Sequence, residues 1–102
     1  MADRSLQASN LETILGAELL LRLLGRDPFG DDNKSKARLE LILNIVDNLR
    51  GSFNNEGIRR WFYRDRTRLQ GEPFIKFFPT GWETSDVGPS FILGASIAVR
   101  GS

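Results

Sequence analysis

The sequence contains no cysteine and no histidine. The first absence excludes disulfides, thiolate nucleophiles, iron–sulfur clusters and thiolate zinc sites. The second removes the commonest neutral-pH base and metal ligand, so Ser-His-Asp and Cys-His catalysis are excluded together. Lysine is sparse: Lys34, Lys36 and Lys76 are the three present, and none lies in an apolar run that would desolvate its amine for covalent catalysis. No apolar stretch approaches the ~20 residues of a membrane-spanning helix; residues 19–24 and 91–99 are the nearest. No targeting segment is visible in the polar first residues either. The expectation is a cytoplasmic binding protein without catalytic residues, cofactor or metal.

What is present suits one domain with a single core: 102 residues, 40% hydrophobic and 26% charged. The net charge of +1 hides an asymmetry. Residues 1–57 carry net −2 and residues 58–102 net +3, with the excess in Arg59, Arg60, Arg64, Arg66 and Arg68, relieved by Asp65. An anionic partner should meet the protein there.

Helical periodicity dominates the chain. Ser9 or Asn10 as N-cap, Glu12 as the reciprocal member of a capping box and Gly25 as terminator frame a first helix over 10–24. Its Leu11, Ile14, Leu15, Leu19 and Leu23 repeat at helical spacing, and Leu20, Leu21 and Leu24 widen the apolar face. Residues 25–34 collect glycine, proline and aspartate and read as a solvated loop. Asp27, Asp31 and Asp32 cluster there without the alternating ligands of a calcium-binding loop. Ser35 can cap a second helix to Arg50, with Leu39, Ile42, Leu43, Val46 and Leu49 on one face. Asn54 or Asn55 can cap a third, in which Ile58, Trp61 and Phe62 share a face and the arginines point away. Residues 64–70 read as a loop around Leu69, and Pro73 as the first residue of a short helix over 73–78. Residues 90–99 fit either a buried strand or a terminal helix; helix is preferred because no second strand exists to pair with. The fold expected is all-α, a single domain of four to five helices, two long ones followed by short helices and loops.

From Arg38 to Val99 the order of signals resembles the toxin-binding domain of the Xre/MbcA/ParS-type antitoxins. A long apolar helix leads to Ile58-Arg59-Arg60-Trp61-Phe62, then to Leu69-Gln70-Gly71-Glu72-Pro73, to Gly81-Trp82, and to a final helix with Ile92-Leu93. Trp61, Leu69, Gly71 and Pro73 are the most diagnostic positions, and each also has a structural reason: a buried indole, a loop anchor, a tight turn and a helix start. The resemblance implies residues 36–102 as a toxin-binding domain and residues 1–35 as a helix and loop serving as a dimerisation or packing arm. It implies as partner a RES-domain toxin that consumes NAD, neutralised by covering its active-site entrance. Candidate contacts are Arg59, Arg60, Arg64, Arg66 and Arg68 for charge, with Trp82, Phe91 and Ile92 as apolar anchors. A homo-oligomer is expected.

Three alternatives come from other classes. A nucleic-acid-binding module would use the Arg-rich segment 59–68 with Trp61, Phe62 and Tyr63. A self-associating adaptor would bury surplus apolar surface between copies. A small carboxylate enzyme would have to work with Glu72 and Glu83.

Overall fold

The leucine spacing does form a helix, α1 (Ala8–Leu24), but not the uninterrupted one expected. The computed structural model describes residues 8–64 and 72–100, and it places Gly16, in the middle of α1, at φ 84° and ψ 155°. A residue with a β-carbon is strained there, so α1 is two short helices joined at a glycine. Its start also differs from expectation: the helix begins at Ala8, so Ser9 and Asn10 lie inside it rather than at its N-cap. Gly25 does terminate it, donating to the Leu21 carbonyl at 2.8 Å.

The second helix, α2 (Asn33–Arg50), is capped by Asp32, with Ser35 as the donor. Asp32 Oδ2 accepts from the Ser35 backbone N–H at 3.1 Å and Oδ1 from the Ser35 hydroxyl at 2.7 Å. These bonds hold the carboxyl below its ordinary value of 3.8, since they favour the charged form. α2 buries more than the one face its sequence announces. Leu41, Ile42, Leu43, Ile45, Val46, Asn48 and Leu49 are all buried, whereas Leu39 is only partly so. The reason is position: α2 is packed by α4 on one side and by α1 and α3 on another. Glu40, Asn44 and Asp47 are left as a narrow exposed stripe.

α3 (Asn55–Tyr63) starts where expected, with Asn54 Oδ1 accepting from the Gly57 N–H at 2.8 Å. The helix expected over 73–78 is instead a single 3-10 turn, Phe74–Phe77, preceded by Pro73 in an extended conformation. The terminal apolar run forms α4 (Val87–Arg100), which begins earlier than the sequence announces and settles strand against helix.

The core runs through all these elements. Leu11, Leu15, Leu19 and Leu23 of α1 are each 2% exposed or less, so α1 belongs to the same core as the rest. Trp61, Phe62, Phe74, Phe78 and Trp82 form an aromatic run with edge-on contacts between ring centroids 4.6–6.3 Å apart. One polar chain crosses the α2–α4 seam: Arg100 Nη1 donates to Asn48 Oδ1 (3.2 Å), Asn48 Nδ2 to Ser96 Oγ (3.0 Å), and Ser96 Oγ to the Leu93 carbonyl (2.7 Å). Because a buried polar group must be matched, this chain fixes the register between the two helices. The radius of gyration is 12.9 Å, close to the ~13 Å of a compact domain of about 100 residues. Among the described residues there is no strand, no helix long and apolar enough to cross a membrane, and no acidic group placed to hold a metal.

Candidate partner-binding cleft

α3 separates the two adjacent arginines, because residues i and i+1 on a helix face different directions. Arg59 turns back to α1: its Nε donates to the Ile14 carbonyl at 2.9 Å and its Nη2 to the Thr13 carbonyl at 3.1 Å. Those carbonyls precede the break at Gly16, which withdraws the amide partners a continuous helix would supply. Arg59 therefore caps the first half of α1 and is turned toward that helix rather than toward the exposed side of α3. Arg60 and Arg64, one turn apart, face the other way and are exposed. Arg60 Nη2 lies 2.8 Å from Glu56 Oε2, an exposed pair one helical turn long. Arg64 closes α3, its backbone N–H bonding the Arg60 carbonyl at 2.8 Å.

Between α3 and the last turn of α4 lies a cleft of about 570 Å3, lined by Phe53, Gly57, Arg60, Trp61, Arg64 and Val99. Phe53 lies against Gly57 so closely that a β-carbon there would sit 3.1 Å from Phe53 Cβ. The missing side chain thus lets the ring form one wall. Trp61, 6% exposed, supplies the floor and is held edge-on by Phe62 and Phe74. Val99 closes the far side. Among the described residues no acidic side chain lines this cleft, which sets the Arg64 guanidinium and that of Arg60, with Glu56 beside it, over an apolar bed. A carboxylate or phosphate beside an aliphatic or aromatic group fits that chemistry. Nearby, burial and then the Glu18 carboxylate push the Tyr63 phenol above its ordinary value of 10.0, so it is neutral under ordinary conditions.

The remaining candidates divide. Trp82 is 3% exposed, and its indole N–H donates to the Leu23 carbonyl at 2.7 Å. It caps the end of α1, as Arg59 caps its middle, and is not a surface anchor. Ile92 is fully buried in the core, which overturns its assignment as an anchor as well. Phe91 is half exposed on α4, stacked on Phe77 with centroids 5.8 Å apart, and does not line the cleft. Of the four diagnostic positions, Trp61 is buried and Pro73 leads into the 3-10 turn. Leu69 and Gly71 lie outside the described residues, as do Arg66 and Arg68. Glu72 and Glu83 are exposed and each is paired with a different lysine, Lys76 at 3.5 Å and Lys34 at 3.1 Å.

Phe53, Gly57 and Val99 escaped the sequence reading as cleft walls. The one local signal was Phe53-Asn54 followed by Gly57, an aromatic residue and a cap placed over a glycine one turn on. Comparison with protein-family models, curated proteins and solved structures finds no match to this chain.

Proposed function

We propose that this chain is a protein-binding module of the antitoxin type, which takes its partner through the cleft walled by Phe53, Arg60, Arg64 and Val99. The observation that carries the reading is the pairing of two exposed guanidinium groups with an apolar floor in one concave site. Interfaces place their energy in such arrangements, with Arg and aromatic anchors at the centre. The partner proposed is a RES-domain toxin that consumes NAD, on the strength of the resemblance between residues 38–99 and antitoxin toxin-binding domains. The chain would act sterically, covering the entrance by which the dinucleotide reaches the toxin. A nucleic-acid module is the weaker reading, because Trp61 and Phe62 are buried and have no free face on which bases could stack.

The test is capture of partners from the native cell extract by tagged protein, before and after nuclease, in parallel with an Arg60→Glu/Arg64→Glu variant. A stoichiometric protein that survives nuclease and whose NAD consumption is silenced in the complex is the expected result. The double charge reversal should weaken that complex at least about tenfold while leaving helical circular dichroism unchanged. Recovery of nucleic acid alone, or an affinity unmoved by the reversal, would overturn the reading.

A further inference from the structure

A spacing of four residues sets Glu56, Arg60 and Arg64 in one exposed line along α3, in the order acid, base, base. The two arginines of this line differ in what holds them. Arg60 Nη2 lies 2.8 Å from Glu56 Oε2, with the two side chains 76% and 65% exposed. The Arg64 side chain has no hydrogen bond or ion pair among the described residues; its backbone N–H alone is engaged, by the Arg60 carbonyl. Both guanidinium groups line the cleft and Glu56 does not. The free protein therefore presents one open cation and one that already carries an internal carboxylate. An exposed ion pair one helical turn long is held weakly, so an incoming carboxylate can take the place of Glu56 on Arg60.

We propose that the cleft takes an acidic peptide segment of the partner protein, with two carboxylates one helical turn apart and an apolar side chain beside them, and that Glu56 is the internal competitor this segment displaces. The inference rests on the protein-binding reading above and names what the bound segment carries. Four residues of α3 separate the two arginine positions by about 6 Å of rise, and carboxylates at that interval reach both guanidinium groups at once. The cleft, about 570 Å3, has room for more than carboxylates. Its walls of Phe53, 37% exposed, and Val99 suit an aliphatic or aromatic side chain. A nucleic-acid strand matches this site less well: its bases need an open aromatic face, which Trp61 at 6% exposure does not give, and Glu56 opposes its continuous charge. Engagement then has an order. Arg64 is met without displacing anything, and Arg60 only as Glu56 leaves. A lone carboxylate gains one arginine, whereas a paired set gains both, so Glu56 sharpens the preference for doubly acidic segments.

The test is fluorescence anisotropy of a labelled, end-blocked helical peptide carrying two glutamates four residues apart and a leucine on the same face, titrated with the full chain. Saturable binding that is lost when both glutamates are replaced by glutamine is the expected result. Glu56→Gln should tighten binding about two- to fivefold, by freeing Arg60 and removing a like charge from beside the incoming carboxylate. The same change should lower the melting temperature slightly, because it removes an acid from the first turn of α3 together with its ion pair. Those opposite signs separate a competitor from a merely structural residue. Arg64→Ala should weaken binding more than Arg60→Ala while Glu56 is present, and the two should cost about the same on the Glu56→Gln background. A peptide that does not bind, or binds as well without its carboxylates, would overturn the proposal. So would a Glu56→Gln affinity that is unchanged or weaker, or arginine costs that Glu56 does not shift. Peptide failure while a protein partner from the cell extract is still lost on Arg60→Glu/Arg64→Glu would sink this inference and leave the protein-binding reading standing. Peptide binding as expected with no protein recovered from the extract would uphold the acidic-segment preference and sink the antitoxin reading.

Discussion

At the scale of single residues, Arg59 and Trp82 share an unexpected occupation. Both carry strong donors and both stand among residues that suggest contact with a partner, yet their hydrogens go to carbonyls of α1. Arg59 serves Thr13 and Ile14 at the break, and Trp82 serves Leu23 at the end. Helix ends leave carbonyls without intrahelical partners, and a break creates a second end. A donor brought from 45 or 59 residues away meets that need. Trp82→Phe keeps an aromatic ring but removes the indole N–H, leaving the Leu23 carbonyl buried without it. The expected cost is about 1–3 kcal/mol of stability in a urea titration, with partner affinity unchanged. A loss of binding without loss of stability would restore Trp82 to the interface.

At the scale of elements, the helices differ in how much their sequences declare. α3 is legible from its cap and from Ile58, Trp61 and Phe62 at helical spacing, and the structure buries those three. α1 is legible as a helix but not as a broken one, because periodicity tolerates a single glycine and Gly16 sits within a run of leucines. Gly16→Ala separates the two descriptions. In an ordinary helix interior alanine would stabilise by about 1 kcal/mol. At φ 84° and ψ 155° it should instead destabilise by about 1–3 kcal/mol in thermal or chemical unfolding. The α2–α4 seam was not legible at all. Nothing local marks Asn48 or Ser96 as partners, since their match depends on a contact between residues 48 positions apart.

At the scale of the whole molecule, residues 8–24 are part of the only core the described residues form, and α1 packs on both α2 and α3. Deleting residues 1–24 should therefore abolish cooperative folding. It removes seven buried leucine and isoleucine side chains from α1, each worth about 1.5–3 kcal/mol when fully buried, against a net stability of about 5–15 kcal/mol for a typical domain. It also strips Arg59 and Trp82 of their acceptors. Loss of the sigmoidal melt monitored by circular dichroism is the expected outcome. A truncated chain that still melts cooperatively would show that the remaining helices form a core of their own.

The sequence by itself determined the helical class, the first three helical segments, the exclusion of thiol and imidazole chemistry, and the concentration of arginine around α3. These are local or compositional properties, set by periodicity, caps and side-chain inventory. Only the tertiary structure decided which arginines are available, because Arg59 and Arg60 are neighbours in sequence and opposites on the helix. It alone showed that Trp82 and Ile92 are interior and that Phe53 and Val99 wall one cleft. It also showed that the apolar surplus of α4 divides into a buried face and an exposed one. Each of those outcomes depends on which distant element covers a residue, and no property of the residue or its neighbours in sequence encodes that.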